Sequence, residues 1–124
     1  MSFLVLRAYC MLILFDSYLA RRNFAALYAA VRKRTCAKER RCPDAVERVC
    51  SAVDIASIWY WKEILCLQRS AATVSLLRAY GVPAQLVLGA QTMPFKAHAW
   101  VEVESRVVND RSYAPEIYAV LDRI

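Results

Sequence analysis

One cysteine, the single histidine and one aspartate are the residues of this chain that could do chemistry. Cys66 opens the segment CLQRSAATVSLLRAYG, which is typical of a helix closed by Gly81 and Pro83. A thiolate at a helix N-terminus is stabilised by the partial positive charge there. His98, in the strand-like segment AHAWVEVE, is the candidate base, and Asp110, at the end of the segment RVVND, is the candidate that fixes the imidazole tautomer. The residue types and their order predict a Cys–His–Asp triad.

The hairpin that carries His98 and Asp110 sets a condition on this triad. Side chains of two antiparallel strands share a face only when their cross-strand register matches, and positions 98 and 110 require paired residues whose numbers have an even sum. A two-residue turn at positions 104 and 105 would pair Val103 with Arg106, an odd sum, and would place the two side chains on opposite faces. We therefore predict a three-residue loop or one bulge in this hairpin.

The candidate nucleophile and base also have purely structural interpretations. A lone histidine beside an aromatic residue usually packs, and a cysteine at the start of an apolar helix is usually a small buried hydrophobe. A non-catalytic peptide-binding module is therefore an alternative to an enzyme. The remaining cysteines lack the context of a helix start and are predicted to be structural: Cys10, Cys36, Cys42 and Cys50.

The cysteine and histidine content argues against two kinds of site. Five cysteines at irregular spacing, with no recognisable secretory signal before them, favour a reducing cytosol over a disulfide framework. A single histidine and the lack of a C-x-x-C pair disfavour zinc. We expect a cytoplasmic protein without a metal site.

Helical periodicity in the first two thirds of the chain gives way to strand alternation after Pro83. Residues 3–20 predict an amphipathic helix, Asn23 caps a second helix, Pro43 lies in the first turn of a third, and Cys66 begins a fourth. Segments 84–90, 97–104 and 106–110 are typical of strands. The helices should bury Leu4, Ala8, Met11, Leu12, Phe15, Tyr18 and Leu19; Phe24, Leu27, Tyr28 and Val31; Val46, Val49, Val53 and Ile55; and Leu67, Ala71, Val74, Leu76 and Leu77. Helices followed by an antiparallel sheet within 124 residues predict one α+β domain.

The net charge of +6 favours acidic partners, and its excess is concentrated between residues 21 and 41. The commonest explanation of the basic run 32–41 is a solvated linker. No stacking aromatics or known module accompany it, so nucleic acid is not an expected partner. The apolar opening segment is interrupted by Arg7 and Asp16, which favours a core helix over a membrane span or an export signal.

The stretch CLQRSAATVSLLRAYGVPAQLVLG, followed by FKAHAWVEVESRVVND, resembles the leader peptidases of lasso-peptide biosynthesis. These are transglutaminase-like cysteine proteases that form the catalytic half of the lasso B protein. The resemblance runs from about Asp44 to the C-terminus and leaves residues 1–41 as a helical extension and basic linker. It implies a papain-like or transglutaminase-like core with Cys66 as nucleophile, His98 as general base and acid, and Asp110 as orienter, without a metal or organic cofactor.

The resemblance also implies a substrate and partners. The substrate would be a lasso precursor, cut between leader and core before a separate ATP-dependent cyclase closes the ring. Only two predicted helices precede Asp44, so we expect a separate leader-binding protein, docked on residues 1–41, and the cyclase is a further expected partner. Transfer of the acyl group to an amine instead of water is the nearest alternative activity.

One departure from papain-type proteases concerns the oxyanion hole. Those enzymes place a glutamine shortly before the nucleophile, whereas residues 58–65 read IWYWKEIL. The backbone N–H of Cys66 can supply one donor. The Trp61 indole, the Tyr60 hydroxyl and a second backbone amide are the alternatives for the other.

Overall fold

Helices precede a small antiparallel sheet in the computed structural model, which describes residues 2–36, 44–92, 95–109 and 117–124. The elements are α1 (Ser2–Ala20), α2 (Phe24–Lys33), α3 (Ala45–Trp59), α4 (Cys66–Ala79), β1 (Ala84–Thr92), β2 (Phe95–Val103), β3 (Arg106–Val107) and β4 (Ala119–Arg123). The predicted α+β class is confirmed.

Helix α1 packs on α3 and α4 as a core helix. Its buried side chains, Leu4, Ala8, Leu12 and Phe15, recur at helical spacing on one face. By length and composition alone the segment Phe3–Ala20 could also cross a membrane. The packing against two neighbouring helices agrees with the predicted core helix.

The predicted cap of α2 is confirmed, because the Asn23 side chain accepts a hydrogen bond from the Ala26 N–H at 3.1 Å.

Two predicted core positions are wrong. Phe24 is 46% exposed and Ile55 is 37% exposed. Phe24 is the first residue of α2 and lies beyond the buried stripe of that helix. Ile55 lies one position away from the stripe that α3 buries, which comprises Ala45, Val49, Ala52, Val53 and Ala56.

Helix α4 is the central element and is buried along most of its length. It can be surrounded because its buried polar side chains are bonded: Thr73 Oγ1 donates to the Arg69 carbonyl and Ser75 Oγ to the Ala71 carbonyl within the helix, and Gln68 Nε2 donates to the Leu12 carbonyl of α1, each at 2.8 Å. Gly81 ends the helix with φ 82°, the left-handed conformation that glycine adopts without cost.

The four strands lie in the order β3-β2-β1-β4, and the two faces of the sheet differ. On the inner face Leu86, Ala99 and Val101 join the helical core. On the outer face Val87 and the fully buried Trp100 form a second, smaller cluster with partly buried Val107, Tyr118 and Val120. Strand β4, which pairs antiparallel with β1, was not among the predicted strands.

The prediction of a three-residue loop between β2 and β3 is wrong. Val103 pairs with Arg106 across a two-residue turn, in which Glu104 and Ser105 adopt φ of 52° and 64°. Positive φ at both turn residues is the conformation that matches the twist of a hairpin. The register is continuous as far as the pair of Glu102 with Val107, with no bulge in this described stretch.

The chain leaves the ladder directly after this pair. Val108 N–H still donates to the Val101 carbonyl at 3.0 Å, but Val101 N–H donates to the Asn109 side-chain oxygen at 2.7 Å. The Asn109 side-chain oxygen thus takes the place of the backbone carbonyl that would continue the ladder. Asp110 lies outside the described residues.

Candidate active site

Cys66 is the first residue of α4, as the sequence predicts. The preceding residue, Leu65, is extended (φ −77°, ψ 152°), and its apolar side chain cannot accept a hydrogen bond from the first turn. The unsatisfied N–H groups of that turn favour an anion beside them. The half-buried thiol therefore lies at the positive end of α4.

His98 lies in the middle of β2, opposite Gly89 of β1. Its ring centroid is 5.1 Å from that of Tyr118 and 5.9 Å from that of Trp100. The imidazole is half-buried and belongs to the same face of the strand as Trp100. Two aromatic rings thus limit the orientations available to it.

Cys66 and His98 line one cavity of about 230 Å³. The other lining residues come from five elements and are mostly apolar: Phe24, Tyr28, Leu67, Leu88, Gly89, Ala97, Ala99 and Leu121. Two of the three predicted triad residues thus lie on the wall of one cavity, with His98 reaching it from the face of β2 that carries Trp100. The third, Asp110, lies outside the described residues.

A second cavity, of about 550 Å³, adjoins the same cysteine. Its walls are Leu19, Arg22, Phe24, Leu65, Cys66 and Leu67. Phe24, Cys66 and Leu67 belong to both cavities, whereas His98 belongs to the first and not to the second. The Cys66 thiol thus lies between the two cavities.

Asn109, the neighbour of the predicted orienter, has both ends of its amide engaged at the contact of α4 with β2. Its oxygen accepts from Val101 N–H at 2.7 Å and its nitrogen donates to Ser70 Oγ at 3.0 Å. Ser70 Oγ in turn donates to the Ala99 carbonyl at 3.2 Å. These bonds fasten the strand that carries His98 to the helix that carries Cys66.

The Tyr60 hydroxyl is committed elsewhere and is a poor candidate for the oxyanion hole. It donates to the Asp16 carboxylate at 2.8 Å. Burial, together with the hydrogen bond and the charge of Asp16, raises the pKa of Tyr60 to about 12. Lys62 Nζ lies 2.7 Å from the other oxygen of Asp16, so this network ties the loop before Cys66 to α1. Trp61 is 70% exposed and stacks on the Tyr60 ring at 5.6 Å.

The other described cysteines differ from Cys66 in environment. Burial, with a contribution from the charge of Asp54, raises the pKa of the Cys50 thiol to about 11, which keeps it protonated at neutral pH. Its sulfur lies 3.6 Å from the Val108 carbonyl. Neither cavity beside Cys66 includes Cys10, Cys36 or Cys50; Cys42 lies outside the described residues. Over the described ranges, no three His, Cys, Asp or Glu side chains form a group that could hold a metal ion.

Among the lining residues that the sequence did not place at the site are Arg22, Phe24 and Leu121. The first two lie where α1 ends and α2 begins, and Leu121 lies on the unpredicted strand β4. The sequence pattern assigns Phe24 to the core of α2 and Arg22 to the basic segment 21–41, so neither is expected beside Cys66.

Comparison with known proteins assigns a family. Residues 11–123 match the model of a family described as the transglutaminase-like superfamily. The chain is also 44% identical over 45 residues to the microcin J25-processing protein McjB of Escherichia coli, and this segment is 36% of the chain and 22% of McjB. No solved structure matches. The segment similar to McjB supports the narrower resemblance to lasso leader peptidases. The family match, which covers most of this chain, shows that the chain belongs to the transglutaminase-like superfamily.

Proposed function

We propose that this protein is a cysteine endopeptidase that removes the leader from a lasso-peptide precursor in the cytosol. The observation that carries the proposal is that Cys66, at a helix N-terminus, and His98, the single histidine, line one cavity within the family match. The partial match to McjB, whose name describes it as processing microcin J25, supports the substrate class.

The proposed reaction begins with transfer of the Cys66 thiol proton to His98. The thiolate attacks the carbonyl carbon at the leader–core junction, the C–N bond breaks, and the imidazolium gives its proton to the leaving amine of the core. Water then loses a proton to His98 and attacks the thioester, which releases the leader as a carboxylic acid and restores the thiol. Asp110, by resemblance, orients the imidazole.

The Cys66 backbone N–H is the proposed first donor to the oxyanion, because it lies in the uncapped first turn of α4. With the Tyr60 hydroxyl bonded to Asp16, the Trp61 indole and a second backbone amide are the alternatives for the second donor.

A separate leader-binding protein is the proposed partner, with the ATP-dependent cyclase acting after it. The outer face of α1 exposes Phe3, Leu6 and Ile13, at 69%, 60% and 48%. Large exposed apolar side chains of this kind mark interaction surfaces. The basic residues 32–34 at the end of α2 add charge that an acidic partner would complement.

The test is incubation of the chain with precursor and leader-binding partner, read by mass spectrometry. Cleavage at one junction, with the mass of one water added across the cut, is expected. Cys66→Ala should abolish it with the fold retained, whereas Cys10→Ala, at an exposed position, should not. A new amide without added water would instead show acyl transfer, and binding without any cleavage would show a peptide-binding module.

A further inference from the structure

The turn between α1 and α2 lies beside the candidate nucleophile, although it precedes the motifs that identify the catalytic core. Arg22 and Phe24 line the second cavity at Cys66, and Phe24 also lines the cavity that holds His98. Because the two cavities also share Cys66 and Leu67, we take them as the two sides of one groove at the thiol.

The chemistry of the leaving group gives this groove a direction. The imidazolium must reach the amine that departs, so the residues C-terminal to the cut lie on the side of His98. The acyl part stays bonded to Cys66, and the residues N-terminal to the cut extend the other way. That other side is the cavity lined by Leu19, Arg22 and Leu65.

The wall of this leader-side cavity carries one charged side chain among its described residues, Arg22. Arg22 is exposed, and none of the ion pairs formed between described residues involves it. A guanidinium in an otherwise apolar wall is suited to a carboxylate, which it can bind through two parallel hydrogen bonds.

The backbone at Arg22 is also unusual for its residue type. Arg22 ends α1 with φ 52°, a left-handed conformation that glycine normally supplies at this position. The turn is fixed by backbone bonds from Arg22 N–H to the Leu19 carbonyl and from Asn23 N–H to the Tyr18 carbonyl, each 3.0 Å. An arginine is thus held in a conformation that costs stability, as is common at functional sites.

We propose that the α1–α2 turn forms the leader-side subsite and that Arg22 selects an acidic side chain N-terminal to the scissile bond. This inference rests on the proposed peptidase activity. It makes the helical extension a determinant of specificity, in addition to a surface for a partner.

The experiment is a competition between two junction peptides that differ only by Glu or Gln at one position N-terminal to the cut, tested at successive positions. Both peptides are incubated together with the enzyme and its leader-binding partner, so the ratio of their kcat/KM values is independent of the active fraction. At the position that reaches Arg22, the natural protein should prefer Glu by about threefold, the size expected for a partly exposed ion pair.

Three variants test the assignment. Arg22→Glu should reverse the preference and favour a Lys peptide. Arg22→Gly should remove the preference while the Tm stays equal or rises, because glycine relieves the left-handed conformation. Arg21→Glu, at an exposed neighbour that lines neither cavity, is the matched control and should keep it.

The outcomes separate this inference from the proposed function. If the preference for Glu survives in Arg22→Glu, or if Arg21→Glu removes it equally, the subsite assignment is wrong. If Arg22→Glu instead changes the preference for a charge placed C-terminal to the cut, the direction assigned to the groove is wrong. If the natural protein cuts none of the peptides, both the peptidase activity and the subsite fall.

Discussion

Gly89 provides a sharp test of how the strand that carries His98 is packed. A Cβ added at Gly89 would lie 2.7 Å from Cη2 and Cζ3 of Trp100 and 2.9 Å from Cβ of Tyr118. Carbon atoms in ordinary contact are about 3.5–4.0 Å apart, so the neighbours must retreat by roughly 1 Å. Trp100 is fully buried, and the Tyr118 atom is attached directly to its backbone, so neither can swing away freely.

We expect Gly89→Ala to lower the free energy of unfolding by about 2 kcal/mol. Overpacking costs about 1–3 kcal/mol, and two rigid neighbours place this site near the upper end. The reduced freedom of the unfolded chain returns about 0.4–1 kcal/mol. For a chain of this size the net loss corresponds to a Tm lower by about 8 °C. Because the Trp100 ring lies against His98, the same variant should lower kcat more than it raises KM.

Thermal and urea unfolding, followed by circular dichroism, measure the stability term, and a double-mutant cycle assigns its cause. Trp100→Phe removes the ring atoms that the new methyl group meets, while the contact with Tyr118 remains. The cost of Gly89→Ala should therefore fall by about 1 kcal/mol in the Trp100→Phe background. A Tm unchanged by Gly89→Ala, or a cost that is the same in both backgrounds, would refute the packing argument.

Three further predictions concern the triad, the alkaline limit and the partner. Asp110→Asn should keep the Tm but lower kcat by orders of magnitude, as expected if the proposed orienter of the imidazole is lost; an unchanged rate would show that Asp110 does not have this role. The raised pKa values of Cys50 and Tyr60 mean that the folded state favours their protonated forms. The contribution of Cys50 to the free energy of unfolding is complete below about pH 9 and is lost as the pH rises to about 11; that of Tyr60 is complete below about pH 10 and is lost by about pH 12. Cys50→Ala should therefore flatten the fall of Tm between pH 9 and 11, and an unaltered profile would contradict this. The leader-binding partner should raise kcat/KM at least about tenfold, or about 1.4 kcal/mol of transition-state stabilisation; Lys33→Glu should weaken the increase and Lys96→Glu, on β2, should not.

The sequence predicted α1, α2 and α3 well because each carries a buried stripe at helical spacing. Leu4, Ala8, Leu12 and Phe15 all proved to be buried, and Asn23 caps α2. The errors in burial fall at the margins of the stripes: Ile55 lies beside the stripe of α3, and Phe24 lies in line with the stripe of α2 but at the first position of that helix, beyond its buried part. Phe24 is the informative case, because its exposure places it beside Cys66.

The sheet was predicted less completely because its pairing depends on contacts distant in sequence. β4 is five residues long, largely exposed, and pairs with β1 some thirty positions earlier in the chain, so no local pattern announces it. Of the two alternatives predicted for the hairpin, the three-residue loop is wrong, and the bulge concerned the path to Asp110, which lies outside the described residues. The structure instead closes a two-residue turn and ends the ladder at Val108, where Asn109 inserts its side chain.

The boundary near residue 44 that the motifs suggest does not divide the packing. α1 contributes its buried face to the contacts with α3 and α4, and the family match begins at residue 11, within α1. The end of α1 and the start of α2 then supply Arg22 and Phe24 to the groove at Cys66. The outer face of α1, from Phe3 to Ile13, is the part of this segment left for a partner, and along the helix axis it ends about 14 Å before Arg22 at 1.5 Å per residue. A leader presented by the proposed partner at that face would therefore need about four extended residues, at roughly 3.3 Å each, to reach the groove at Arg22. In this arrangement one end of α1 would carry the proposed partner, and the turn after its other end would form the proposed leader-side subsite.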